Sequence, residues 1–350
     1  MADAALRCRG AGLRCFAMDR FVVGTGRCGS TLLSRMLGQH PQVLSLFEYF
    51  NGQDRAKRFA PEPIDGTAFA ELISAEQPFV TATLRRGHDV SEIIYPFESG
   101  GRYRREQGLP WVLVGTLPRL SDDPDALFDA LDHWARRQPR RPVLDHHRAL
   151  FAWLGERLGR PCWLERSGSS FDYLGQLAQH FPEARFLHIH RDGLETALSM
   201  VHHPAYRLTI SLLYRAPLDD GTPLDALGPL DIFAAPRDGD ALSRVLASRP
   251  EPERFGRYVS DQLLRGFRAL AGIDAHRYAE VRFEDLVVEP HATLERVARF
   301  FELPDAGGWL ERAAGLVKGA PALRAAELPE ERRAALEEAC RPGQMLLGRA

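Results

Sequence analysis

The stretch Arg20-Phe-Val-Val-Gly-Thr-Gly-Arg-Cys-Gly-Ser-Thr-Leu-Leu-Ser-Arg-Met-Leu-Gly38 carries the decision about the fold. An apolar run at Phe21 to Val23 meets Gly24, Gly26 and Gly29, after which Leu32, Leu33, Met36 and Leu37 recur at helical spacing. A strand, a glycine turn and a helix in that order aim the free N–H groups of a first helical turn at an anion. Two templates fit. Gly24, Gly26 and Gly29 match the dinucleotide fingerprint G-x-G-x-x-G, with Glu48 at the end of the next apolar run, about 20 residues on, as the ribose partner. The same loop also matches a P-loop variant in which Ser30 stands where a nucleotide hydrolase needs lysine.

Outward from this stretch, the Ser30 or Thr31 hydroxyl is placed to cap the helix, and Val43 to Phe47 reads as a second strand with Glu48 at its carboxyl end. Residues 51 to 110 read as irregular, and the basic residues Arg102, Arg104 and Arg105 there read as a solvated face. Trp111 to Thr116 reads as a buried strand, followed by amphipathic helices over 125 to 137 and 145 to 158. His146 and His147 lack a third ligand at metal spacing and read as packing or surface residues. Strands at 162 to 165 and 185 to 190 alternate with helices at 171 to 180 and 193 to 202, the pattern of a parallel sheet covered on both faces. Order lapses from 203 to 252, a length typical of lids, binding loops or disordered insertions. A helix at 254 to 271, a strand at 278 to 283 and helices at 292 to 301 and 329 to 340 complete the chain.

The composition bounds the function. The 350 residues are 45% hydrophobic and 26% charged, ordinary for a globular protein, and the formal charge of -2 gives no global basic field for nucleic acid. Lys57 and Lys318 are the only lysines, so anion contacts fall to planar, bidentate arginines. Five cysteines without a C-x-x-C pair argue against a disulfide framework or a zinc site and suit a reducing compartment. The first 19 residues lack the apolar core of a signal peptide, and no run of 18 apolar residues occurs. The expected location is the cytoplasm, without a transmembrane segment.

A second anion element follows at Arg191, which ends a strand, and Ser199, eight residues and about two helical turns later. An arginine fork with a hydroxyl suits a phosphate monoester, whereas pairing of Arg191 with Asp192 or Glu195 is the structural alternative.

The loop Gly26-Arg27-Cys28-Gly29-Ser30-Thr31-Leu32-Leu33, the Arg191 to Ser199 spacing and the later Arg282-Phe283-Glu284-Asp285-Leu286 together resemble sulfotransferases that use 3'-phosphoadenosine 5'-phosphosulfate, the bacterial branch in particular. The resemblance implies an α/β fold, a P-loop-like central parallel sheet with helices on both faces and a large lid insertion. It implies one sulfotransferase domain over 1–350, with 51–150 and 203–256 as acceptor-side insertions. It assigns Arg27, Cys28, Gly29, Ser30, Thr31 and Leu32 to the phosphosulfate, Arg191 and Ser199 to the 3'-phosphate, and Lys318 and Gly319 to a late loop over the nucleotide. The middle strand ends Glu165-Arg166-Ser167-Gly168, without the histidine of the cytosolic branch. The resemblance therefore implies Glu48 as the base, with Glu165 in reserve, and Arg27 and Arg166 as stabilisers of the moving sulfuryl group. No metal is expected, and the acceptor is a small or lipid-like hydroxyl compound. The competing expectation is an NAD-dependent oxidoreductase. Oligomeric state is not legible.

Overall fold

The computed structural model describes residues 18–349. Five parallel strands form its centre: β1 Arg20–Val23, β2 Val43–Phe47, β3 Cys162–Arg166, β4 Arg185–His190 and β5 Tyr278–Arg282, in the order β2-β3-β1-β4-β5. Helices between them are α1 Ser30–Leu37, α2 Gly66–Ser74, α3 Pro78–Arg85, α4 Trp111–Val114, α5 Pro124–Arg136, α6 Val143–Leu158, α7 Leu174–His180, α8 Gly193–Val201, α9 Pro204–Leu213, α10 Ala241–Ala247 and α11 Pro252–Leu270. Helices α12 Phe283–Val288, α13 Pro290–Phe300, α14 Trp309–Ala314 and α15 Glu330–Leu346 follow β5.

Alternation along each strand sorts its side chains into two layers. Phe21, Val23, Leu44, Leu46, Trp163 and Phe186 join one apolar core with α6, α8 and α11, while Val22, Val43, Leu164, Leu187 and Ile189 join another with α1 and α13. Both faces are thereby covered, as the near-continuous apolar strands require.

Register places the functional ends together. Val22 and Phe47 both pair with Arg166, so the glycine loop after β1, Glu48 after β2 and Arg166 at the end of β3 share the carboxyl edge of the sheet. Because β3 lies between β1 and β2, Glu48 is one strand farther from the loop than in the dinucleotide fold, whose β2 adjoins β1. That strand order takes Glu48 away from the position beside β1 that the ribose contact of the oxidoreductase reading requires.

Several local expectations are corrected. Trp111 to Thr116 is not a strand: Trp111–Val114 forms a short buried helix, a distinction that a brief apolar run does not encode. Residues 51 to 110 contain α2 and α3, capped by the Asp65 and Gln77 side chains. Residues 203 to 252 contain α9 and α10, whose Leu208, Leu242, Val245 and Leu246 build a small core with Ala82. Cys28 and Cys340 are free and buried, whereas Cys162 is disulfide-bonded, so an odd count excluded complete pairing and not a single bond. Cys8, Cys15 and nearly all of the segment bearing on a signal peptide lie outside the described residues. No helix among the described residues is long and apolar enough to cross a membrane.

Candidate active site

The glycine loop is shaped by what packs against it. Gly29 precedes α1 at φ 92°, and a Cβ there would lie 2.0 Å from the Phe283 ring; at Gly26, φ 81°, it would lie 1.8 Å from the Tyr206 hydroxyl. Gly29→Ala is therefore expected to cost about 1–2 kcal/mol from the left-handed backbone plus the displacement of Phe283. Gly87→Ala is the control, since Gly87 shares the positive φ but has open space around it. Urea unfolding of the two variants checks this, and equal losses would show that Phe283 yields freely.

Neither Ser30 nor Thr31 caps α1, contrary to the sequence expectation. Gly29 occupies the cap position without a side-chain bond, and both hydroxyls accept from Arg166 Nη2, at 2.5 and 2.9 Å. The N–H groups at this helix start are thus left to an external acceptor. Arg27, itself held at φ 55°, donates from Nε to Ser199 Oγ at 3.2 Å, and its Nη1 reaches Ser91 at 3.1 Å and Glu92 at 3.4 Å. The loop and the Arg191 to Ser199 element, separated by more than 160 residues in sequence, therefore meet side chain to side chain. Arg191 pairs with Glu195 at 3.4 Å and lies over the Phe283 ring at 5.0 Å, which connects it to Gly29 through that ring.

Glu48 is 3% exposed and also left-handed, at φ 57°. Two non-glycine residues in a strained backbone region at one site are the kind of cost that functional geometry retains. The Glu48 Oε1 is bonded by Arg166 Nη1, and Oε2 accepts from Asn51 Nδ2 and the Gly168 N–H, each at 3.1 Å. Its backbone is pinned as well, its N–H donating to the Arg166 carbonyl at 2.7 Å and its carbonyl accepting from Trp111 Nε1 at 2.5 Å. Three of about four carboxylate lone-pair positions are occupied, which leaves one for a proton. Burial raises the Glu48 pKa despite the opposing charge of Arg166.

Two other carboxylates are nearby. Burial pushes the Glu92 carboxyl up, but the hydrogen bond and charge of His203, with Arg27 and Arg166, outweigh it and hold it near 2. Glu165 is fully buried, accepts from Ser167 Oγ at 2.5 Å and the Phe50 N–H at 3.3 Å, and is raised by burial to about 7. Of the three, Glu165 has no exposed surface and Glu92 is held low by its cationic partners, whereas Glu48 combines a raised pKa with an unoccupied lone-pair position.

Other sequence candidates fall elsewhere. Lys318 and Gly319 lie in an exposed loop after α14, with no bond to the glycine loop among the described residues. Arg102 and Arg105 pair with Asp129 and Asp89 on the surface. His146 and His147 are core residues: His147 bridges the Tyr49 hydroxyl and the Arg58 carbonyl, each at 2.8 Å, and burial lowers it to about 3. No group of three or more His, Cys, Asp or Glu among the described residues could hold a metal. Asn51, Glu92, Trp111, His203 and Tyr206, which surround the glycine loop and Glu48, were not singled out, because they match no motif and reach that site only through the tertiary fold. Phe283 stood within the Arg282 to Leu286 motif without a role.

The sequence model of the sulfotransferase family matches residues 20–215. No curated protein matches the chain. Among solved structures, the sulfotransferase domain from the curacin biosynthetic pathway is 12% identical, with 95% of this chain and 98% of that one covered and a TM-score of 0.46. Sulfotransferase STF9 from Mycobacterium avium is 16% identical over 93% of this chain and 76% of its own, with a TM-score of 0.44. The sulfotransferase domain from the Synechococcus PCC 7002 olefin synthase is 17% identical over 92% and 86%, with a TM-score of 0.40.

Proposed function

The chain belongs to the sulfotransferase family, and from that premise we propose that it transfers a sulfuryl group from 3'-phosphoadenosine 5'-phosphosulfate to a hydroxyl of a small or lipid-like acceptor. The observation that supports this donor is the Arg27 to Ser199 bond, which makes the phosphosulfate loop and the 3'-phosphate element one continuous site. A donor with anionic groups at both its 3' and 5' positions suits such a pair.

The acceptor oxygen attacks sulfur, the bond from sulfur to the 5'-phosphate oxygen breaks, and its electron pair leaves on the phosphate. Glu48 takes the hydroxyl proton through its remaining lone pair. Arg166 neutralises charge on the transferring oxygens while holding Glu48, Ser30 and Thr31 in place. The N–H groups from Cys28 to Leu32 bind the phosphosulfate, Arg191 and Ser199 the 3'-phosphate, and Lys318-Gly319 belongs to the loop closing over it.

Residues 51–150 and 203–256 form the acceptor side. Asn51 and Trp111 bond Glu48, Ser91 and Glu92 bond Arg27, and from the second segment His203 bonds Glu92 while Tyr206 packs against Gly26.

Arg191→Ala is expected to weaken adenosine 3',5'-bisphosphate binding by about 2–5 kcal/mol, the scale for truncating a buried charge contact. Calorimetry on the variant checks it. The donor itself is tested by thermal shift: stabilisation by NAD but not by adenosine 3',5'-bisphosphate would sink the reading.

A further inference from the structure

Charge matching across the site leaves one residue over. Arg166 is matched by Glu48, and Arg27 by Glu92, which also binds His203. Arg119 follows α4 in a short turn and stacks on the Phe47 ring with its guanidinium carbon 3.8 Å from the centroid, while Arg166 lies 4.6 Å from the same ring. Its side chain makes no hydrogen bond or ion pair among the described residues, and its Nε is sealed from solvent without a partner. Burial, followed by repulsion from Arg166 and Arg35, lowers it to about 10 against the partial support of Glu48 and Glu92. A half-buried guanidinium with no carboxylate bonded to it carries a desolvation cost that the more distant Glu48 and Glu92 offset only in part, and an anion from outside the chain relieves the rest.

The sheet order says from which side that anion comes. Ser199 and Arg191 follow β4, on one flank of β1, whereas Phe47 ends β2, two strands away on the other flank. At about 4.8 Å per strand, that is roughly 10 Å from the loop strand, on the side away from the 3'-phosphate pair. We propose that Arg119 is a specificity residue for the acceptor, and that the acceptor carries an anionic group, a carboxylate or a phosphate or sulfate ester, close to the hydroxyl that is sulfated. The Phe47 ring, 3.8 Å away, braces the Arg119 guanidinium, whose planar fork of donors suits carboxylate or phosphate oxygens. The inference rests on the sulfotransfer reading and narrows its acceptor to an anionic class.

Transfer of labelled sulfuryl from phosphosulfate is measured on matched pairs, 4-hydroxybenzoate with its methyl ester and 3-hydroxyhexanoate with its methyl ester. Wild-type enzyme should favour the anionic member by about tenfold to a hundredfold in kcat/KM, the range for one charge-assisted hydrogen bond. In Arg119→Leu that ratio should fall to about one, and Arg119→Lys should restore part of it. Preference for the ester, or an anion preference that survives in Arg119→Leu, overturns the inference. So does an Arg119→Leu variant that loses affinity for phosphosulfate but not for adenosine 3',5'-bisphosphate, which would place the guanidinium on the transferring group. Failure of the wild-type enzyme to bind either nucleotide is a separate result that removes the sulfotransfer reading and this inference with it.

Discussion

Glu48→Gln is expected to lower turnover about 10²- to 10⁴-fold, the contribution of a positioned general base, while adenosine 3',5'-bisphosphate binds as before. The amide keeps the size of the side chain and an acceptor oxygen for Arg166, but its NH2 faces the Asn51 and Gly168 donors that Oε2 accepted, so urea unfolding of the variant is measured beside turnover to separate proton transfer from packing. The pH profile supplies a second readout. A base works only when deprotonated, and burial raises the Glu48 pKa above its ordinary value. Wild-type kcat should therefore rise with pH through a limb above the usual glutamate range and fall away below it, and Glu48→Gln should lack that limb. Full turnover by the variant at saturating acceptor would remove Glu48 from the reaction.

Arg166→Met should be the most damaging change to the folded state. Arg166 is 2% exposed, and its guanidinium holds Glu48, Ser30 and Thr31 at once. Methionine fills the space over Phe47 but leaves a buried carboxylate without its cation, which costs about 3–5 kcal/mol at neutral pH. The pH dependence has a definite sign. Without Arg166 the folded-state pKa of Glu48 rises further above the unfolded value of about 4.3, so the folded chain binds the extra proton and stability falls as pH increases past that value. Below about pH 4 both states are protonated and the deficit should shrink. Chemical denaturation at pH 4 and pH 7.5 reads this directly, and Arg166→Met combined with Glu48→Gln should recover much of the neutral-pH loss. A deficit independent of pH and unrelieved in the double variant would show that Arg166 stabilises by packing alone.

The relation between Glu48 and Arg166 shows how far local sequence carries. Each was visible alone, as the residue ending an apolar run, and the runs were strands because their apolar side chains had to face two layers. That they form a pair depends on β3 lying between β1 and β2 and on Phe47 standing opposite Arg166 in register. Strand order is a property of long-range packing, and nothing within ten residues of Glu48 encodes it. The ribose-ligand reading failed for that reason. Trp111 failed differently: its run was correctly read as buried, but a short apolar segment does not report whether its backbone is extended or coiled.

By itself, the sequence determined the strand, glycine turn and helix that open the sheet, the parallel sheet covered on both faces, and the elements at Arg27 and at Arg191 to Ser199. These are set by side-chain periodicity and by backbone groups that must find partners nearby, both of which are local. Only the tertiary structure decided that Arg27 meets Ser199, that Arg166 and not an α1 cap engages Ser30 and Thr31, and that Arg119 stands without a bonded carboxylate. Such relations are sums of charge and contact over segments distant in the chain. They exist only once the sheet has ordered its strands.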